Sequence, residues 1–214
     1  MNDKIILKNV TKQIKGQEVL SRVNLELDAG GIYGFFGRNG SGKTMLLRAI
    51  AGLIRVNGKI IVFGKDLSRE NAFPDRLGLI IEKTELWPQY SAMENLKLLA
   101  GIRNEIGEEE MRTALERVGL NPDDKRPIRT YSMGMRQKLA LAQAIMESPQ
   151  LLLLDEPTNG LDDDAVELFR QIMREEQQRG CTILVATHQG EDVAGLCSRV
   201  FRMADGKCRE AELS

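Results

Sequence analysis

The 214 residues carry 30 basic and 31 acidic side chains, a formal net charge of −1, with 42% hydrophobic and 29% charged residues. That balance suits one globular domain, or one core with a subordinate lobe, able to bury a sizeable core. It supplies no overall basic field of the kind that marks nucleic-acid binders, so no nucleic acid is expected as a partner.

The N-terminus, MNDKIILKNV, has no secretory leader pattern, and no run reaches the eighteen or more apolar residues of a membrane span. The expectation is a chain that does not cross a membrane by itself. Three cysteines (Cys181, Cys197, Cys208) without a CxxC spacing suggest neither a disulfide framework nor a zinc site. A single histidine excludes a histidine-rich metal centre.

In chain order, Ile5–Val10 and Val23–Leu27 alternate apolar and polar residues, as half-buried antiparallel strands do. Ile32–Phe36 is continuously apolar, which suits a parallel strand covered on both faces. Lys43–Ala51 reads as a helix ended by Gly52, and Leu79–Ile81 as a short buried strand. Met111, Ala114, Leu115 and Val118 mark one helical face. Met135–Met146 is rich in helix formers, and Leu151–Leu154 is another buried strand. Ala165–Gln178 is an amphipathic helix closed by Gly180, and Thr182–Thr187 a buried strand. Asp205-Gly206 reads as a tight hairpin turn. Strands thus cluster at about 1–83 and 149–214, with helix and loop at about 84–148: an α/β core interrupted by an inserted α-helical lobe.

Gly37-Arg38-Asn39-Gly40-Ser41-Gly42-Lys43-Thr44 fits GxxxxGK[ST] between a buried strand and a helix. Its glycines let backbone N–H groups converge on an anion, and the helix behind adds its positive end. Lys43 offers a charge to the β- and γ-phosphates, and Thr44 a hydroxyl to Mg²⁺. A chance match is expected in about one per cent of chains this long. Asp155 and Glu156 close the Leu151–Leu154 run. Asp155 suits a Mg²⁺ ligand, direct or through water, and Glu156 a general base on the attacking water. Acidic residues often follow strands in loops; beside a phosphate loop the functional reading prevails. His188 follows Thr182–Thr187. Gly37, Glu82, Asp155–Glu156 and His188 therefore all follow predicted parallel strands, the edge where open α/β sheets bind ligands.

Tyr131-Ser132-Met133-Gly134-Met135-Arg136-Gln137 is by itself only a good helix start, with a hydroxyl and N–H groups able to meet an anion. Its order matters: phosphate loop, Ser-x-Gly, acidic strand end, Thr158-Asn159-Gly160-Leu161-Asp162, His188. Over essentially the whole chain this resembles the ATP-binding cassette (ABC) ATPases. The resemblance implies a P-loop NTPase (RecA-like) core with an N-terminal antiparallel β subdomain and a helical lobe. It further implies ATP with Mg²⁺, and a head-to-tail dimer in which Ser132 and Gly134 of one cassette face the phosphate loop of the other. Asn159–Asp162 would be the loop linking the two sites, and His188 the γ-phosphate switch.

Three positions depart from the family pattern. The signature is YSMGM rather than LSGGQ. Glu82 replaces the usual Q-loop glutamine, keeping an oxygen for Mg²⁺ but adding negative charge. Ile14 stands where an adenine-stacking aromatic is common, which weakens the basis for preferring ATP over GTP. The Ile81-Glu82 pair, the SMGM signature and Ser91-x-x-Glu94-Asn95-Leu96 are most similar to ATP-binding subunits of ABC-2-type exporters of antimicrobial peptides and antibiotics. That implies separate transmembrane permease subunits, docked near Glu82–Tyr90 including Trp87, and a cytoplasmic position on the inner face of the membrane. The alternative is a soluble ABC ATPase acting on nucleic acid, ribosomes or iron–sulfur assembly. Against it, Lys43 and Ser132 lie about ninety residues apart without coiled-coil heptads, and the chain holds a single cassette.

Overall fold

The computed structural model describes residues 3–67, 72–81 and 86–212. A six-stranded sheet runs in the order β10-β9-β3-β8-β7-β6, comprising β3 (Ile32–Phe36), β6 (Leu77–Ile80), β7 (Leu151–Asp155), β8 (Thr182–Thr187), β9 (Arg199–Ala204) and β10 (Lys207–Ala211). All its pairings are parallel except the β9–β10 hairpin. Beside it lies an antiparallel sheet in the order β2-β1-β4-β5, built from β1 (Lys4–Ile14), β2 (Gln17–Asp28), β4 (Asn57–Val62) and β5 (Lys65–Asp66). The two long N-terminal strands turn at Lys15 (φ 49) and Gly16 (φ 81), the left-handed pair a two-residue hairpin demands.

Burial follows the two strand types. Every residue of β7 and β8 is buried, whereas β1 and β2 alternate. Along β7 the side chains sort strictly: Leu152 and Leu154 join one apolar cluster, Leu151 and Leu153 the other. The first cluster holds the helical elements α2 (Ala92–Arg103), α3 (Glu108–Arg117), α4 (Met133–Ile145) and α5 (Asp163–Gln178). The second joins α1 (Lys43–Ile50) to the antiparallel sheet. A sheet covered on both faces in this way needs the continuous apolar runs seen in the sequence. On α5, Phe169, Ile172 and Met173 are at most 2% exposed, each contributing roughly 1.5–3 kcal/mol of burial.

Between residues 86 and 148 the described chain contains helices and loops without a strand. Ser91 caps α2 reciprocally with Glu94, and the fully buried Asn95 amide donates to the carbonyls of Trp87, Tyr90 and Ser91. α3 is tied to α5 by Arg117, whose guanidinium donates to Glu175 (2.8 Å) and Glu176 (2.7 Å). The three cysteines are free, and burial pushes each thiol up to about 12, leaving them protonated. No helix among the described residues is long and apolar enough to cross a membrane.

The elements match the expected runs with small shifts. The helix expected over Met135–Met146 runs from Met133 to Ile145, since Ser132 caps it through Oγ and the Met135 N–H (3.2 Å). The 165–178 helix begins at Asp163, capped by Asp162, whose carboxylate accepts from Ala165 N–H (2.9 Å).

Candidate functional site

The site grows from the end of β3. In register, Phe36 lies beside Thr187 of β8 and Arg202 of β9, so the loop leaving β3 emerges between the ends of its two neighbours. At Gly37 an added Cβ would collide with the Met203 carbonyl; at Gly42 (φ 105) it would lie 2.6 Å from the Val19 carbonyl. The loop backbone is thus wedged between β9 and the N-terminal subdomain, and only glycine allows both approaches.

Lys43 is 5% exposed and its ammonium is folded back, donating to the carbonyls of Gly37 (2.8 Å) and Arg38 (3.3 Å). The Thr44 hydroxyl donates to Asp155 Oδ2 at 2.6 Å, across the gap between α1 and the end of β7. The Ser41 hydroxyl is buried inside the loop without a hydrogen-bond partner among the described residues. A cavity of about 540 Å³ opens beside this loop, walled by Asn39, Gly40, Gly42, Lys43, Thr44, Met45 and Glu156, with Ile14 at its rim. Loop glycines at positive φ, a cationic side chain and this opening form a cradle that suits a triphosphate. Thr44 and Asp155 add two adjacent hard oxygen donors, the kind Mg²⁺ takes.

Glu156 holds a left-handed backbone (φ 49), and its carboxylate is a meeting point. It accepts from the Thr187 hydroxyl (2.9 Å), the His188 backbone N–H (3.1 Å) and His188 Nδ1 (2.8 Å), with Lys43 Nζ at 3.6 Å. An ionised carboxylate can only accept, so the imidazole bond requires the proton on Nδ1. His188 reaches a second cavity of about 750 Å³ on the other side of the loop, shared with Phe36, Gly37, Arg38, Asn39, Arg202 and Met203.

Ser132 and Gly134 line neither cavity. They sit beside the 157–162 loop of their own chain: an added Cβ at Gly134 would lie 3.3 Å from the Gly160 carbonyl. Gln137 reinforces that contact by donating to the Pro157 carbonyl at 2.8 Å. Glu82 lies outside the described residues. Thr187 and Gln137 were not singled out from the sequence as site residues, since a lone threonine and a helical glutamine carry no spacing signal; only the register reveals them.

These features define a nucleotide-hydrolysing cassette, and comparison with known proteins gives its family. The family model described as ABC transporter matches residues 20–159. An uncharacterized ABC transporter ATP-binding protein of Bacillus subtilis, YybJ, is 42% identical, the match covering 95% of this chain and 94% of that one. The lantibiotic transport ATP-binding protein SrtF of Streptococcus pyogenes is 33% identical over 94% of this chain and 87% of its own length. The bacitracin transport ATP-binding protein BcrA of Bacillus licheniformis is 34% identical over 94% of this chain and 67% of its own. Among solved structures, the dimeric bacterial ABC transporter cassette MJ0796 superposes with a TM-score of 0.87 at 27% identity, covering 98% of this chain and 99% of that one.

The chain belongs to the ABC transporter family. It is an ATP-binding, ATP-hydrolysing subunit of an ATP-driven transporter.

Proposed function

We propose that this chain powers export of an antimicrobial peptide, antibiotic or similar compound, working as a head-to-tail pair of cassettes beneath separate membrane-spanning subunits. Support for the cargo class comes from SrtF and BcrA, which carry lantibiotic and bacitracin transport in their names. Support for pairing comes from the dimeric cassette it resembles and from the position of Ser132 and Gly134 outside the cavities beside their own loop. The division into a core (about 1–83 and 149–214) and a helical lobe (about 84–148) belongs to the same reading, as does attachment to the inner face of the membrane through the permeases. Trp87 and Tyr90, 40% and 39% exposed, offer those partners an aromatic docking edge, pinned from behind by Asn95. The non-transport alternative has no comparable support.

In the proposed mechanism the Lys43 ammonium leaves the Gly37 and Arg38 carbonyls for the β- and γ-phosphates, while the amides of Arg38 to Thr44 close on the phosphate oxygens. Thr44 and Asp155, with Glu82, would hold Mg²⁺, which would neutralise phosphate charge. Glu156 takes a proton from the water that attacks the γ-phosphorus, and the bond to the ADP oxygen breaks. His188 and Thr187 keep the Glu156 carboxylate facing that water, and His188 senses the γ-phosphate. Ser132 and Gly134 of the opposite cassette complete the phosphate cage.

One observation carries this reading: a single carboxylate, Glu156, lies in reach of both Lys43 and His188 at the mouth of the phosphate cradle. Glu156→Gln should keep ATP binding, trap an ATP-bound dimer and lower turnover by about 10²–10⁴. A variant that still hydrolyses ATP at the wild-type rate in a phosphate-release assay removes Glu156 as the base.

A further inference from the structure

The cavity on the His188 side of the phosphate loop carries positive charge that makes no ion pair among the described residues. Arg38 and Arg202 both line it, and none of the residues around it is acidic. Arg202 on β9 is paired in register with Arg209 on β10, two like charges directly opposite one another, an arrangement that costs stability. All three arginines are exposed, and none makes an ion pair among the described residues. Arg199, at the opposite end of β9, shows the contrast, being held by Glu210 at 2.7 Å.

An unpaired complement lies on the same edge of the sheet. After β7 the chain reaches Asp162, Asp163 and Asp164 at the start of α5. Asp162 is engaged in capping its own helix. Asp163 and Asp164 are exposed and have no cationic partner among the described residues.

We propose that the Arg38–Arg202 cleft, with Arg209 beside Arg202 on the neighbouring strand, receives Asp163 and Asp164 from a second copy of this chain, forming a reciprocal ionic lock on either side of the dimer axis. The inference rests on the head-to-tail dimer proposed above, a sandwich with each nucleotide between two copies, and adds to it a pair of surfaces outside the nucleotide cage. Two contacts set the geometry. The two cavities flank one loop and share Asn39. Within a chain, Gly134 abuts Gly160, so the signature and the start of α5 move as one block. When Ser132 and Gly134 of one copy cover the nucleotide cavity of the other, the adjoining acidic turn falls over the neighbouring arginine cleft. Two-fold symmetry then repeats the contact, each copy giving acid and receiving base. The lock also supplies electrostatic steering, so it should weaken as salt screens it.

The test uses two charge-reversed chains, both in the Glu156→Gln background with ATP, with dimer formation followed by light scattering. One chain carries Arg202→Glu and Arg209→Glu; the other carries Asp163→Lys and Asp164→Lys. Each alone faces like charge at both contacts and should dimerise at least ten-fold more weakly than Glu156→Gln itself. Mixed together, every contact in the heterodimer is again between opposite charges, and dimerisation should return. Binding of a fluorescent ATP analogue to each chain and its circular dichroism verify that both are folded. If Glu156→Gln dimerises but the reversals leave it unchanged, or if mixing restores nothing, the lock is wrong while the sandwich stands. If Glu156→Gln stays monomeric at saturating ATP, the sandwich and the lock fall together.

Discussion

Glu156 adopts φ 49, a left-handed conformation that a residue with a Cβ reaches only at a cost of about 1–2 kcal/mol. The cost is met because the turn carries its carboxylate onto Thr187 and His188. At ordinary positions glycine is less stable than alanine by roughly 0.5–1 kcal/mol; here the order should reverse. Urea unfolding of Glu156→Gly and Glu156→Ala should show the glycine variant more stable by about 1 kcal/mol, with both inactive. Alanine equal to or above glycine would mean that the turn is unstrained. A second residue-level consequence concerns Ile14, 39% exposed at the rim of the nucleotide cavity beside Lys15, Gln17 and Val19. With no aromatic among the residues lining that cavity, a purine base gains only aliphatic contact, and ATP and GTP should bind within a few-fold of one another. Ile14→Tyr should tighten ATP binding by an amount on the order of the about 1–3 kcal/mol that base stacking contributes. Equilibrium titration with fluorescent nucleotides checks both statements, and an unchanged affinity in the tyrosine variant would place the base elsewhere.

Among elements, the joint between α3 and α5 rests on Glu176, 1% exposed and bound by both Arg117 and Arg179. Burial works against the Arg117 charge, but the hydrogen bonds it donates to Glu175 and Glu176 outweigh it and hold its pKa above the usual value. The Arg117 bond also lowers the Glu175 pKa below 4.5. A depressed carboxylate contributes stability above its unfolded pKa and loses it as pH falls through the folded value. Arg117→Ala should therefore cost about 2–3 kcal/mol at neutral pH, less than the full penalty of a broken buried pair because Arg179 remains. That difference should shrink as pH falls below 4.5, where the unfolded chain's glutamate takes up a proton, and the Glu175 share of it should be gone once folded Glu175, with its lower pKa, is protonated too; a pH-independent gap in denaturant midpoint would argue against the ionic link. This joint was invisible in the sequence, where Arg117 and Glu176 are unremarkable charges 59 residues apart. By contrast β3, β7 and β8 were legible because burial on both faces leaves an uninterrupted apolar run. β4 and β5 were missed: β4 begins with three exposed residues and β5 has only two, so neither offers a period to detect. The phosphate loop, the acidic strand end and the signature could be read because their chemistry needs fixed spacings. Thr187, Gln137 and the arginine cleft could not, because register and close backbone approach bring them to the site.

At the scale of the whole molecule, the phosphate loop is held by chain segments far from it in sequence. Gly206 N–H donates to the Ser41 carbonyl (3.1 Å), and the Gly206 carbonyl accepts from Ser21 N–H (2.9 Å). The Asp205–Gly206 turn (φ 49 and 72) therefore clasps the loop and the N-terminal subdomain together. Removal of residues 199–212 should accordingly leave a chain that loses ATP binding by at least ten-fold in equilibrium titration even where circular dichroism shows retained helix; full affinity would show that the clasp is dispensable. The turn also has a bearing on biosynthesis. Ribosomes deliver the Ser41 loop well before the Asp205–Gly206 clasp, so a nascent chain has no finished nucleotide pocket until the clasp has emerged. ATP, abundant in the cell, then stabilises only finished cassettes, and unfinished or truncated ones remain open to proteolysis.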